Sequence, residues 1–587
     1  MKKVNLKIGL VFAVLLAFTN SCKEEFLVVT PNGSLDAQVL ANAKGVNTLL
    51  IGEYSMLDGV ASNGFGWEAA SSNWVYSSIR GLEANKGTDS GDQPDINAIQ
   101  TYSEDTTNPY LNIKWRSVYD GVARSNAALQ ILATAEKNGT VTPAEADSFR
   151  KQARALRGFF HFEAWRMWAK ADGSGVPYVD ETTDHATLTN DSDVRNQILA
   201  DLEAGTTLPD NMVQIGRFNG TVAKVLYAKA LMQMKKDYAA AKTILEAVKT
   251  SGKKPNGAAI GLDPLYGNIF DAATRNSGLE SIYTVQYSVN DGSGGWNAGW
   301  GEVLNFPYKG GNPLASPGGC CGFFQPSHDF VNSFRTSGGL PLLDDTYNTQ
   351  PVLNDQGLTP AQVFVEDVNP LDPRLDWSVG RRGIPYLDWG NHTGSDWIRD
   401  PTYAGPFSPK KQVYRRTQTG QFTEVGNWTS GWTANGYRLI RFADVLLLLA
   451  ECQIETNDLP NARININLIR ARAANPAGFV KEADGTTNSA NYVINQYPVT
   501  GAPFDTQVNA RRALRFERKL ELGMEGHRYF DLQRWGNAVT ELNRVLTYEK
   551  TQRAVLYGPA IVGPEDVNYP IPQLQIDITL GKLKQNR

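Results

Sequence analysis

Apolar residues recur at helical spacing in two blocks of this chain, and the stretch between the blocks carries no such rhythm. Leu35, Val39, Val46, Leu49, Leu50 and Tyr54 predict a helix over about 35–60, with Gly59 to end it. Trp115, Val118, Tyr119, Val122, Ala127, Leu129 and Leu132 predict a second over 108–136. Pro143 suits the first turn of a third, which runs to Lys170, and shorter helices are predicted at 191–203, 221–234 and 238–249. From Ser251 to Asn435 turn signals crowd together instead (GSGGWNAGWG, PGGCCG, SGGLP, DWGNHTG, YAGPFSP), with room for short strands at 281–287 and 412–415. Helical periodicity returns from 436 to about 545. The expectation is a mostly α protein: an N-terminal helical scaffold over 35–250, an irregular insertion over 251–435 and a C-terminal helical scaffold over 436–587.

Two helical segments repeat each other. Tyr227-Ala228-Lys229-Ala230 leads to Asp237 and then Ala241, and Leu449-Ala450-Glu451-Cys452 leads to Asp458 and then Ala462. Each reads as a helix, a polar turn and a second helix, with small residues where the helices cross. This is the logic of tetratricopeptide-like pairs, although generic helical hairpins share it. The densest pattern is Arg511 to Gly536. Ala513, Phe516, Leu520 and Met524 form one apolar stripe, charged residues fill the other faces, Gly523 offers a left-handed stop, and Gly526 permits a bend into a short aromatic helix closed by Gly536.

Within it, RKLELGMEGHRYFDLQRWG resembles the C-terminal signature of the SusD/RagB family of nutrient-binding outer-membrane lipoproteins. Further resemblances follow the family order: PSHDFVNSFRTSGGLPL, LDPRL and the closing YPIPQLQI, so the likeness spans Cys22 to about Ile578. The resemblance implies a SusD-like scaffold of helix pairs split by a long insertion. It also implies capture of oligosaccharide or polysaccharide and its delivery to a SusC-like TonB-dependent outer-membrane transporter.

The N-terminus adds an address. Lys2, Lys3 and Lys7 form a positive region before the apolar run Ile8–Phe18, which is too short to span a bilayer. Thr19-Asn20-Ser21-Cys22 resembles a bacterial lipoprotein cleavage box, though Thr19 and Asn20 depart from the commoner residues, and an ordinary signal peptide with an incidental cysteine is the alternative. A cysteine directly after the apolar run is the one residue an acyl anchor requires, so the expectation is a signal peptide over 1–21, lipidation at Cys22, a linker over 22–34 and a place on the outer membrane, exposed at the cell surface. Lys23-Glu24-Glu25 resembles an acidic surface-export tag. Loss of the three leader lysines takes the formal charge from −4 to −7, which argues against nucleic acid as a partner.

Candidate chemistry is sparse on the catalytic side. His161, His185, His328, His392 and His527 lie far apart without metal-ligand spacing, and no nucleophile elbow or phosphate loop is present, so neither a metal, a cofactor nor an enzymatic activity is expected. Carboxylates are too numerous to single out a glycosidase pair. Binding is better supported. Sugars offer flat apolar faces ringed by hydroxyls, which suit indole platforms flanked by polar side chains. The segment 61–102, rich in Gly, Asn, Asp and aromatics, reads as a long ligand-facing loop offering Trp67 and Trp74 beside Asn63, Asp89 and Asp92; the insertion adds Trp296, Trp300, Arg382 and Trp389. Cys320-Cys321 leaves open a vicinal disulfide, two free thiols or a link to Cys452. The rival readings are a protein-interaction scaffold that binds no glycan and an extracellular glycoside hydrolase.

Overall fold

The computed structural model describes residues 37–60, 66–309, 316–426 and 428–587. The leader, Cys22 and the linker lie outside the described residues. The long helices are α1 (Ala43–Tyr54), α2 (Pro109–Lys137), α3 (Pro143–Trp168), α4 (Arg195–Ala204), α5 (Gly220–Ala230), α6 (Tyr238–Ser251), α7 (Phe442–Glu455), α8 (Leu459–Ala473), α9 (Gln507–Leu522), α10 (Arg528–Trp535) and α11 (Ala538–Gln552). Their starts are written locally. Asn42 breaks the first predicted helix in two by capping α1, Asn108 caps α2, and Thr142 with Glu145 closes a capping box ahead of Pro143. Past α5 the chain continues as one wide turn, Leu231–Lys235.

Successive helices pack as antiparallel neighbours: α2 on α3, α3 on α4, α5 on α6 and α7 on α8. The two repeated segments also meet, because α6 packs on α7. Three polar contacts with nearly the same sequence offset stitch this seam: Lys229 to Asp444 at 3.0 Å, Lys242 to Asp458 at 3.0 Å and Lys249 to Asn465 at 2.7 Å. Ala241 and Ala462, the small residues of the repeat, are fully buried. The architecture is mostly α, a scaffold of tetratricopeptide-like helix pairs.

The insertion contains no described helix longer than five residues. The described strands are short. β1 (Ala84–Gly87) pairs antiparallel with β3 (Phe323–Pro326), and β2 (Ser281–Thr284) pairs with β4 (Arg438–Arg441) just before α7. Residues 412–415, read above as a strand, are irregular.

The segment 61–102 departs most from expectation. Apart from the undescribed 61–65 it is packed structure: a wide helical turn at Trp74–Ile79, then β1, then a short helix at Asp95–Gln100. Its Gly and Asn residues make tight backbone turns, such as Asn73 at φ 49° and Gly87 at φ 81°, that let large side chains enter the core. Tyr76 donates to the Glu68 and Tyr110 carbonyls, and buried Arg80 pairs with Glu104. Composition there signalled turns; it did not signal exposure.

The 511–536 corner organises the molecule, through charge as much as through its apolar stripe. Ala513, Phe516, Leu520 and Met524 are buried as the spacing predicts, but so are Glu517, Arg518, Lys519 and Glu521. Arg374, from the LDPRL motif, reaches Glu517 at 2.6 Å and Glu521 at 3.0 Å. Arg441 links Glu280, Glu521 and Glu525; Arg472 bridges Glu280 and Glu521; Arg470 meets Glu517; Lys411 meets Glu525. Adding Asp372, which holds Arg374, the network sets five cations against five carboxylates, all buried. Burial alone would raise the Glu521 carboxyl, but Arg472, Arg441 and Arg374 outweigh it and hold that group far below the usual range. The turn differs in one detail. Gly523 is not left-handed (φ −53°); a side chain there would strike the Phe330 ring, so glycine serves close approach, and the left-handed positions are Met524 and Gly526.

Candidate functional site

Four tryptophans from two loops of the insertion form a continuous string. Trp296 stacks on Trp300 at 5.0 Å between ring centroids and 23° between planes. Trp300 meets Trp432 at 4.5 Å, and Trp432 meets Trp428 edge-to-face at 6.0 Å. Both loops carry the same spacing, Trp-x-x-x-Trp with a glycine just before the second indole, and in both the first indole is exposed and the second buried. Trp296 is 58% and Trp428 54% exposed, against 4% for Trp300 and 6% for Trp432. Trp67 lies behind Trp300 at 6.1 Å, itself 7% exposed. Two wet indoles therefore stand on a dry aromatic footing, and the Trp300 indole N–H is fixed on the Gly295 carbonyl at 3.0 Å.

The footing is locked. Asn290 donates to the Gly420 and Thr423 carbonyls and accepts from the Val425 N–H, while its own N–H donates to Glu424 at 2.7 Å, so the two tryptophan loops are bonded to each other. Asp291, beside Trp296, accepts from Asn297 at 2.8 Å, and both side chains sit in exposed positions at the rim. Hydrogen bonds from Ser293 and Asn297 hold the Asp291 carboxyl well below the usual range, so it is a permanent acceptor. Behind Trp428, Thr429 donates to the Gly318 carbonyl and Tyr414 to Ser430. This ties the loop to residues 316–322, where Cys320 and Cys321 form a vicinal disulfide and Cys452 is a separate buried thiol.

Two acids lie near the footing. Burial pushes Asp58 up to about 7, against the Val60 N–H and Arg124, with Glu302 adding to the rise; burial likewise lifts Glu302 to about 7. Glu302 accepts from Tyr287 at 3.4 Å.

The residues expected to meet a ligand are dispersed differently. Trp296 and Trp300 come together; Trp67 joins them from beneath. Trp74 is 1% exposed and packs edge-on against Phe323 and Phe324, so it is core and offers no stacking face, a correction to the sequence reading. Asp89 and Asp92 are both engaged by Arg399, at 2.8 and 2.6 Å, in a separate corner. Arg382 donates to the carbonyls of Thr359, Pro360 and Gln362 and so pins a loop. Half-buried Trp389 donates to the Tyr414 carbonyl and packs on that ring, supporting the Trp428 loop from behind. Asp89, Asp92, Arg382 and Trp389 are thus held by partners outside the tryptophan string. Asn63 lies outside the described residues. Trp428, Trp432, Asp291 and Asn297 were missed, although the repeated Trp-x-x-x-Trp spacing was present to be read.

No group of three or more His, Cys, Asp or Glu residues with metal-binding geometry occurs among the described residues, and no described helix is long and apolar enough to cross a membrane.

Comparison with known proteins places the chain. The model of the SusD family matches residues 279–587, and a second model, described as starch-binding associating with outer membrane, matches residues 60–259. The SusD-like protein P25 of Formosa agariphila is 22% identical over 542 residues, covering 90% of each chain. Among solved structures, a SusD homologue from Bacteroides thetaiotaomicron superposes with a TM-score of 0.63 at 21% identity, covering 93% of this chain and 97% of that one. Surface glycan-binding protein A from the same organism, solved in complex with laminarihexaose, gives 0.61 at 19% identity over 92% and 99%. A SusD superfamily protein from Bacteroides vulgatus gives 0.63 at 18% over 93% and 99%. With a family model spanning more than half of its length, and with the helix pairs, the Arg374 motif and the Glu-rich turn all in place, this chain belongs to the SusD/RagB family.

Proposed function

We propose that this protein is a cell-surface lipoprotein, anchored at Cys22, that captures oligosaccharide or polysaccharide on the Trp296–Trp300–Trp432–Trp428 string and delivers it to a SusC-like TonB-dependent transporter. One observation carries the binding site: two exposed indoles held rigid on a buried aromatic footing, with the permanent acceptor Asp291 and the amide Asn297 at the rim. Exposed aromatic surface is costly in water and normally marks a contact site. A rigid one loses little entropy when a sugar ring settles on it. Capture of glycan by related surface proteins, one of them solved with laminarihexaose, supports the ligand class. The delivery step and the transporter rest on family membership, and the anchor on the Cys22 box.

The test is affinity electrophoresis of the purified protein through gels carrying each of a panel of neutral and acidic polysaccharides, run beside a Trp296→Ala/Trp428→Ala double variant. The expected result is retardation by at least one glycan and its loss in the variant. Retardation of neither protein by any glycan would leave the protein-interaction scaffold as the better reading. Asp58 and Glu302, each lifted to about 7 near the footing, are the one observation that favours a hydrolase. Release of reducing ends from the retained glycan would establish that reading.

A further inference from the structure

A second concavity, about 500 Å³, opens on the C-terminal helices and shares no lining residue with the tryptophan string. One wall is a face of α9: Val508, Arg512, Arg515 and Lys519 follow at i, i+4, i+7 and i+11, a single helical stripe. The charges in and around it do not balance. Arg511 is matched by Glu455 at 2.7 Å, Lys519 by Asp329 at 2.6 Å and Arg528 by Glu541 at 2.7 Å. Arg544 shares Asp329 and Glu541, at 3.2 and 2.9 Å. Two acids remain: Asp345 stands 3.8 Å from Arg512 and 3.7 Å from Arg544, too far for a hydrogen bond to either, and exposed Asp344 attracts Arg512 from beyond ion-pair distance. Arg515 has no carboxylate within 4.0 Å among the described residues; its guanidinium lies 5.1 Å over the Trp535 ring. Six cations thus face five carboxylates, and the two guanidiniums that make no hydrogen bond to a carboxylate, Arg512 and Arg515, are neighbours on one helix face.

We propose that this concavity binds an acidic segment of a partner polypeptide through Arg512 and Arg515. A guanidinium is a planar fork of N–H donors that matches a carboxylate in two parallel bonds, and one already held over an indole loses less freedom in making them. Arg512, whose side chain is 54% exposed, completes the pair. A polypeptide suits the cavity better than a sugar chain does. The indole of Trp535 already carries Arg515 and Arg534, at 5.1 and 5.5 Å from its centroid, and a sugar ring would have to compete with them for it. Leu343, Phe516 and the 71%-exposed Val508 give apolar surface for side chains that flank the acidic ones.

Titration calorimetry on the full chain tests this with two probes of like charge: an acetylated hexaglutamate peptide and a hexagalacturonate. Hexaglutamate should bind at low salt. Its affinity should fall about ten-fold or more in Arg512→Glu and in Arg515→Gln, and should weaken likewise in about 0.3 M NaCl. Trp296→Ala should leave it unchanged, which keeps this site's outcome separate from that of the glycan platform. Arg512→Glu alters a solvent-facing side chain, so an unchanged melting curve should accompany the loss, and that variant decides the matter if Arg515→Gln is poorly folded. Absence of hexaglutamate binding at millimolar peptide, or binding indifferent to Arg512→Glu, overturns the proposal. Hexagalacturonate binding more tightly than the peptide through the same arginines also overturns it, in favour of an acidic-glycan site.

Discussion

Truncating Trp296 and Trp300 one at a time separates a binding surface from a core, because the two indoles touch each other yet differ in exposure from 58% to 4%. Trp296→Ala removes a ring whose outer face is already in water. The folded state loses its contact with Trp300, on the order of 0.5–1.5 kcal/mol for an aromatic pair. A bound glycan loses its platform, about 1–3 kcal/mol, which weakens affinity roughly five- to 150-fold. Trp300→Ala is a different event. That indole contacts Trp67, Trp296 and Trp432 and donates to the Gly295 carbonyl, so its loss opens a cavity among three large rings and removes a buried hydrogen bond. The cost is about 3–5 kcal/mol of stability. Chemical denaturation and affinity electrophoresis, run on both variants with a glycan that retards the wild type, give the two numbers for each. Trp296→Ala should keep its denaturation midpoint near wild type and lose most binding; Trp300→Ala should lose both. A Trp296→Ala protein as destabilised as Trp300→Ala, or one that binds as well as wild type, would refute the idea that the exposed end of the string is the working face.

Three further outcomes follow from the same structure. Arg374→Ala strands Asp372, Glu517 and Glu521 without their shared cation, and should cost about 3–5 kcal/mol in denaturant unfolding; a variant as stable as wild type would show the buried network to be incidental. Glu302 is lifted to about 7 in the fold against an ordinary value near 4.5, so its burial costs little below pH 4.5, and the penalty builds between about 4.5 and 7 and is complete above 7. Glu302→Gln should therefore be more stable than wild type at pH 8 by about 2–3 kcal/mol and equal to it at pH 4, and the reverse order would contradict the assigned burial. Cys22→Ala should move the protein from the membrane pellet to the soluble fraction of cell lysates, and persistence in the pellet would remove the lipid anchor.

What the sequence disclosed and what it hid divide along a physical line. Helix pairs were legible because their signals are local: apolar spacing of 3.6 residues, an Asn, Asp or Thr cap, a proline in the first turn. The family motifs were legible as patterns, but their reason was not. Nothing local in LDPRL says that Arg374 crosses to Glu517 and Glu521 on a helix far along the chain. The ligand surface was half legible for the same reason. Indole side chains in Gly-rich segments mark either a binding platform or a bulky core residue threaded through tight turns, and the two share a composition. Trp74 and Trp296 illustrate this, the first closed in by Phe323 and Phe324, the second open to water. What distinguishes them is whether a second aromatic lies beneath and solvent above, and that depends on contacts between distant loops. Yet Trp-x-x-x-Trp occurs in both platform loops with the same order, exposed then buried. The spacing is too short to bring two indoles together in an extended strand. In a turn it places the second indole inward as an anchor and leaves the first to stack upon it or against its edge. Two such turns meeting through their anchors, Trp300 on Trp432, give two exposed rings held in fixed relation. A chain that needs a rigid surface on an irregular insertion can obtain it this way without a sheet or helix to carry it. The buried charges that tie Arg374 and Lys411 of that insertion to α9 and the turn after it, and Glu280 to Glu521 through Arg441, supply the remaining rigidity from below.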